Sequence, residues 1–156
     1  MINDQKYFTP AIEDLRVGYE FEKIHSFQKK TWTKDAISEF YFFPKGDGTV
    51  GILDMVFSIK EGTIRVPYLT KEQIEAEGWM LLERSAFIHF NVGLEFQFSE
   101  GTAYRLEFPS TKNELYKGRE IRIYKKTLAG RGDTLFVGQC PDINTLRHIQ
   151  KLLNIK

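Results

Sequence analysis

The sequence predicts an α+β fold, a single mainly antiparallel sheet of about seven to eight strands packed with two helices. Three observations predict it. Aromatic residues make up 14% of the chain, 13 Phe among them, an excess that suits half-buried strands and a broad packed sheet. Short runs alternate apolar and polar residues with the period of two that a strand requires. Two other stretches carry a capping residue followed by apolar residues at helical spacing. At 156 residues the chain suits one domain spanning 1–156. One core can then bury roughly 68–70% of the unfolded surface without disulfide or metal staples.

Thr9 can cap a first turn opening at Pro10, where a missing amide proton costs nothing, and the turn carries Ala11, Ile12 and Leu15. Residues 17–24 then read as a strand, with Tyr19 and Phe21 on one face and Glu20 and Glu22 on the other. Residues 31–43 are rich in aromatics and end in Phe40-Tyr41-Phe42-Phe43; Pro44-Lys45-Gly46-Asp47-Gly48 turns the chain. Residues 49–59 place Val50, Ile52 and Val56 on one side of an extended chain and Leu53, Met55, Phe57 and Ile59 on the other. A strand greasy on both sides belongs in the middle of a sheet. Lys60-Glu61-Gly62-Thr63 leads into residues 64–68, completing an antiparallel meander of three strands.

Thr70-Lys71-Glu72-Gln73 fits a capping box, in which the Thr hydroxyl and the Gln side chain satisfy each other's backbone amides. The helix is expected over 70–77, stopping at Gly78, with Ile74 and Trp79 as inward anchors. Strands follow at 86–91, 94–98, 102–108, 119–126 and 134–137. Tyr104, Leu106 and Phe108 oppose Arg105 and Glu107, and Ile121 and Ile123 oppose Arg122, Tyr124 and Lys126. Asp142 caps a second helix over 142–153, whose stripe of Ile143, Leu146, Ile149, Leu152 and Leu153 crosses the sheet.

Composition narrows the function classes. Lys plus Arg number 22 against 21 Asp plus Glu, a net charge of +1, so no global field steers the chain to a polyanion. The lone cysteine, Cys140, can form no intrachain disulfide and fits a reducing compartment. The first six residues lack a basic, apolar leader, and no run approaches the roughly 20 apolar residues of a membrane helix. The expectation is a soluble, cytoplasmic protein.

Groups able to carry chemistry are few. Cys140 precedes Pro141 and Asp142 at a helix start, a position that lowers thiol pKa values, but only His148 lies near it in sequence, so a small structural residue is expected. No Gly-x-Ser-x-Gly elbow occurs. His25, His89 and His148 are scattered, and only a set such as His89 with Glu20 and Glu22 could gather in space. No metal site and no cofactor are expected. Glu20 and Glu22 point the same way roughly 7 Å apart and could divide acid and base roles, though alternating Glu is also the ordinary dress of a half-exposed strand. Asp54 interrupts an apolar run and is expected to be buried, with Arg65 as its ion-pair partner. Gly46-Asp47-Gly48 and Ala129-Gly130-Arg131-Gly132-Asp133 join no strand to a helix start and read as hairpin turns. No catalytic residue is nominated.

One local asymmetry stands out. Lys117, Arg119, Arg122, Lys125, Lys126 and Arg131 face only Glu120, a local +5. Arg122, Tyr124 and Lys126 share the outer face of their strand, and Trp32 and Lys34 repeat the basic–aromatic theme after Lys29 and Lys30. Basic side chains around a ring can hold phosphate while a base stacks, and the same residues can simply solubilise a sheet edge. Trp32, Lys34, Arg122, Tyr124 and Lys126 are therefore the expected ligand-binding residues. They suit a non-catalytic protein occupying a small anionic ligand, such as a signalling nucleotide, or a host protein. Nucleic-acid binding through the same face and a small hydrolase built on Asp54 or Glu20 and Glu22 are the alternatives. No membrane partner is expected, and exposed strands leave homo-oligomer formation open.

Tyr7-Phe8-Thr9-Pro10-Ala11-Ile12-Glu13-Asp14-Leu15 and Val17-Gly18-Tyr19-Glu20-Phe21-Glu22 resemble the opening of small uncharacterised proteins of gut-bacterial phages and their hosts. The block from Arg65 to Ile74 with Gly78-Trp79 resembles their central strand and helix, and Leu135-Phe136-Val137-Gly138 with Leu146 to Leu153 their C-terminal pair. Residues 25–43 and 112–126 depart from that pattern. The resemblance implies a phage-type accessory protein and transfers no catalytic residue.

Overall fold

The structure, a computed structural model, describes residues 6–24, 31–43, 46, 51–83, 86–90, 103–108, 119–127 and 130–155. The chain divides into two units, Met1–Pro67 and Tyr68–Lys156, each with its own hydrophobic core.

In the first unit, strands β1 (Tyr7–Phe8), β2 (Glu20–Ile24) and β3 (Trp32–Ala36), helix α1 (Gly51–Lys60) and strand β4 (Ile64–Pro67) follow in sequence. The strands form one antiparallel sheet in the order β1-β4-β2-β3. Phe21, Ile64 and Val66 bury one face with Tyr19, Ile37 and Met55, and Phe8, Leu15, Tyr41, Ile52 and Ile59 pack against that cluster.

The segment expected as a two-faced strand at 49–59 is helix α1 over its described part. Ile52, Met55, Val56 and Ile59 recur at i, i+3, i+4 and i+7, the stripe of an amphipathic helix. The strand reading required Leu53 and Phe57 inside, and they are 51% and 67% exposed. Asp54 is exposed in the first helical turn, where a carboxylate suits the helix dipole, so it is not a buried acid. The meander is corrected with it: β4 pairs with β2 and β1. Residues 31–43 likewise extend only over Trp32–Ala36 and then enter a 3-10 turn, Glu39–Phe42. Helix α1 ends as Gly62, at φ 66°, donates to Ile59 O (3.1 Å) and Thr63 donates to Ser58 O (2.9 Å), the paired bonds of a Schellman stop.

The second unit comprises α2 (Lys71–Ala76), β5 (Met80–Glu83), β6 (Ala86–Phe90), β7 (Ala103–Glu107), β8 (Arg119–Thr127), β9 (Gly130–Cys140) and α3 (Ile143–Leu152). Its strands form an antiparallel sheet in sequence order, β5-β6-β7-β8-β9. The single sheet of seven to eight strands is thus corrected to a four-stranded and a five-stranded sheet, with three helices among the described residues. The α+β class stands. The strand at β5 was not expected, and Gly130 to Asp133 belong to β9 rather than to a turn.

The caps expected at Thr70 and Asp142 form, but the one expected at Thr9 does not: the first turn is a 3-10 helix over Ile12–Asp14, entered from Ala11 with no side-chain cap bond. Gln73 N donates to Thr70 Oγ1 (3.2 Å) and Thr70 N to Gln73 Oε1 (3.0 Å). Thr145 N donates to Asp142 Oδ1 (3.0 Å). Ile74, Trp79, Tyr104, Leu106, Phe108, Ile121, Ile123, Ile143, Leu146 and Ile149 are buried together, as their alternation and helical spacing predict. Leu152 is exposed instead, because it lies off the side of α3 that Leu146, Ile149 and Leu153 share. The expected strand at 94–98 and loop at 109–118 lie outside the described residues, as do His25, Lys29, Lys30, Pro44, Lys45, Asp47 and Gly48. Among the described residues, no helix is long and apolar enough to cross a membrane.

Candidate functional site: an arginine held by two aromatic rings

Strand alternation sorts the first sheet into two faces. With Phe21, Ile64 and Val66 turned to the core, Glu20, Glu22 and Ile24 on β2, Trp32 and Lys34 on β3, Arg65 on β4 and Tyr7 on β1 share the other face. Register brings them together: Glu22 lies opposite both Lys34 and Arg65, Ile24 opposite Trp32, and Tyr7 opposite Pro67, two residues from Arg65.

Arg65 is the centre of this face. Its guanidinium carbon lies 3.6 Å from the Tyr7 ring centroid and 4.0 Å from that of Trp32. Its Nε donates to Glu22 Oε2 at 2.7 Å, and its Nη2 lies in ion-pair contact with the same oxygen, also at 2.7 Å. The Arg65 and Glu22 side chains are 27% and 14% exposed, so both charges are partly withdrawn from water. A cation in that setting needs a counter-ion, and ring faces, negative in their quadrupole, supply more attraction. Two flat rings and a planar guanidinium fit one another; a lysine ammonium would not be oriented this way. Lys34, exposed and in register with Glu22, adds a second positive charge.

This arrangement corrects the expected partner of Arg65, which is Glu22 and not Asp54. It also separates the paired carboxylates: Glu20 is exposed, while Glu22 is engaged by Arg65. Tyr7 and Arg65 were not nominated from sequence. Their signal was present as the alternation Ile64-Arg65-Val66 and the dipeptide Tyr7-Phe8, but two residues are too few to read as a strand.

Of the five expected ligand-binding residues, Trp32 and Lys34 sit on this face of the first unit. Arg122, Tyr124 and Lys126 lie on β8 of the second. Arg122 donates from Nε and Nη2 to Glu120 Oε1 at 3.3 and 3.2 Å. Its basicity is raised first by a hydrogen bond with Tyr124 and then by that with Glu120. Tyr124 is only 7% exposed, so its ring is packed rather than offered for stacking. Register shifts on either side of Tyr124 mark the irregularity that separates its burial from simple alternation. Arg105 pairs with Glu107 at 2.6 Å on the neighbouring strand, and Lys126 is exposed. Of the six basic residues in that stretch, Arg122 is engaged by Glu120, whose charge the local +5 already includes.

Cys140 is fully buried, its Sγ donating to Asp142 O at 3.8 Å. Burial, and then the negative charge of Asp142, push the thiol far above its ordinary range. It is protonated at neutral pH, the opposite of what a nucleophile needs. Among the described residues no three His, Cys, Asp or Glu side chains gather as a metal ion would require. A shallow cavity of about 400 Å³ beside the end of α3 is lined by Glu77, Arg147, Gln150, Lys151, Asn154 and Ile155 and contains none of the nominated carboxylates.

Comparison of the chain with protein-family models, curated proteins and solved structures gives no match.

Proposed function

We propose that this is a non-catalytic binding protein that acts by occupancy, and that its ligand is small, planar and anionic, with a signalling nucleotide as the representative. The observation that carries the reading is the Arg65 guanidinium set over the rings of Tyr7 and Trp32, with Lys34 opposite Glu22 on the same face. Glu22 and the rings fix the guanidinium before any ligand arrives, so little ordering is left to oppose binding. Trp32 is half-buried and keeps part of its indole at the surface, where a base can stack while its phosphate meets Lys34. The block resemblance supports placing such a protein among phage accessory or anti-defence factors working in the cytoplasm, where sequestering a signal needs no catalysis.

A thermal-shift screen against linear and cyclic nucleotides tests this reading. Ligand at a hundredfold excess over its Kd stabilises the folded state by about 2.7 kcal/mol. Trp32→Ala and Lys34→Glu are expected to erase the shift. No shift with any nucleotide would remove the small-ligand reading.

A second reading, occupancy of a host protein, rests on a different observation in the same unit. Phe40 is 81% and Phe43 58% exposed, as are Leu53 and Phe57 of α1 to the extents given above. Exposed apolar side chains that adjoin one another favour protein–protein contact, and the Phe40 and Phe43 ring centroids lie 6.4 Å apart. Phe57→Lys should then abolish capture of a specific protein from the native host, and capture unchanged by it would exclude this surface.

A further inference from the structure

Helix α3 ends in a Schellman turn. Asn154 takes the left-handed conformation at φ 55°, its N–H donates to Lys151 O (3.2 Å), and Ile155 N donates to Gln150 O (2.9 Å). The turn folds Ile155 back until it is 6% exposed. Spacings of three, four and seven residues set Arg147, Gln150, Lys151 and Asn154 along one side of the helix end. Arg147 Nε donates to Glu77 Oε1 at 2.7 Å, which ties α3 to the residue that ends α2. These residues line the cavity of about 400 Å³, a volume within the range of small-molecule sites. Two of the lining groups have no partner among the described residues. Gln150 is 7% exposed, and its buried Oε1 accepts no hydrogen bond. Buried carbonyl oxygens are ordinarily paired, so this one has capacity for a donor. Lys151 is exposed and forms no ion pair there, whereas Glu77 and Arg147 hold each other.

We propose that this cavity is a second ligand site, and that it takes a free α-amino acid with an aliphatic side chain. The two unmet groups are an acceptor and a cation, so the complementary ligand carries a donor and an anion. An ammonium and a carboxylate on one α-carbon supply both. The ammonium donates to Gln150 and shares the cavity with the Glu77 carboxylate, which favours a cation over a neutral hydroxyl. The ligand carboxylate meets Lys151, and the aliphatic chain meets Ile155, the apolar member of the lining. Inorganic phosphate fits less well, because it answers Lys151 only by bringing further negative oxygens to Glu77. Every residue of the lining belongs to the second unit, so this site stands apart from the Arg65 face of the first.

Nuclear magnetic resonance titration of the isotope-labelled full chain with L-leucine is the test. The matching 2-hydroxy acid, the matching acid with neither substituent, and inorganic phosphate are titrated beside it. L-leucine is expected to shift the Gln150 side-chain amide and the backbone amides of 147–155 saturably, with a Kd below about 1 mM. The hydroxy acid should bind at least tenfold more weakly, and the plain acid and phosphate more weakly still. Gln150→Leu and Lys151→Glu should each weaken L-leucine at least tenfold. Lys151→Glu, at an exposed position, carries the test alone if Gln150→Leu loses its native circular dichroism. The absence of a saturable shift with L-leucine up to about 10 mM overturns the proposal. So does phosphate or the hydroxy acid binding as tightly as L-leucine, which would make the cavity a plain anion site. Binding that survives Lys151→Glu overturns it too, and its loss in Trp32→Ala instead would move the amino acid to the first sheet.

Discussion

The stack at Arg65 makes a quantitative demand on stability. Arg65→Met keeps the length of the side chain and removes its charge; Glu22→Gln keeps shape and removes the opposite charge. One charge-assisted bond and one ion-pair contact converge on a single carboxylate oxygen at 2.7 Å, with both side chains less than a third exposed. Hydrogen bonds to charged groups contribute about 1.5–3 kcal/mol in such settings. Each cation–π contact adds about 0.5–1 kcal/mol at a partly exposed site. Methionine regains about 0.3–1.5 kcal/mol against the rings, so Arg65→Met should cost about 2–3 kcal/mol. Glu22→Gln, which leaves Arg65 against a neutral acceptor, should cost about 1–2 kcal/mol. If the pair acts as a unit, the double variant costs less than the sum, with a coupling of about 1–2 kcal/mol.

The chain's two tryptophans make this measurable unit by unit, because Trp32 lies in the first unit and Trp79 in the core of the second. Urea unfolding in a Trp79→Phe background reads the first unit through Trp32 fluorescence, and the four proteins of the cycle are compared there. A coupling below about 0.3 kcal/mol, within the scatter of independent sites, would refute the reasoning. It would mean that Glu22 and Arg65 are held by separate neighbours.

Three further outcomes are expected. Thr70→Ala removes the bond that Gln73 N donates to the Thr70 hydroxyl, keeps the backbone N–H that donates to Gln73, and should cost about 1 kcal/mol in the second unit, followed by urea unfolding through Trp79 fluorescence, while Thr70→Ser keeps most of that stability. Asn154 occupies the left-handed region at φ 55° in the turn that ends α3, so Asn154→Gly should leave stability equal or slightly raised and Asn154→Ala should lower it by about 1 kcal/mol in the same assay. The folded Cys140 thiol holds its proton to higher pH than the unfolded chain does, near 8.5. Wild-type stability relative to Cys140→Ala should thus be flat below about pH 8.5 and fall above it, at up to about 1.4 kcal/mol per pH unit, with thermal or urea unfolding at pH 7 to 10 as the check.

What the sequence disclosed follows from how local each cause is. The Thr70 box and the Asp142 cap are decided within four residues, and both form where composition places them. The alternation at Tyr104, Leu106 and Phe108 and at Ile121 and Ile123 also carries through to burial, because each strand there has a polar side and an apolar side. Residues 51–60 have no such contrast. A nearly all-apolar decamer satisfies a two-faced strand and a helix alike, and its packing against Met55's neighbours decides between them. Trp32 and Lys34 could be nominated as basic and aromatic neighbours. Their convergence with Arg65 could not, since Glu22 and Arg65 are 43 residues apart and meet only through the order β1-β4-β2-β3. Tyr124 shows the complementary failure: alternation places it on the outer face, and its irregular register accompanies a buried ring.

The correction at α1 and the composition of the candidate site have one cause. As a central strand, residues 49–59 would have set Asp54 beside Arg65 in a sheet covered on both sides. As a helix, the segment buries Met55 against the apolar face and carries Asp54 away to solvent. β4 then inserts between β1 and β2 instead, which puts Glu22 opposite Arg65 and brings Tyr7 and Trp32 to the guanidinium from strands on either side. The second face is built of polar and aromatic groups that satisfy one another: the carboxylate answers the cation, and the rings shield it without needing full burial. Such a face is held in shape by its own contacts while remaining partly exposed, which is the condition a surface must meet to bind a small ligand without first being ordered by it.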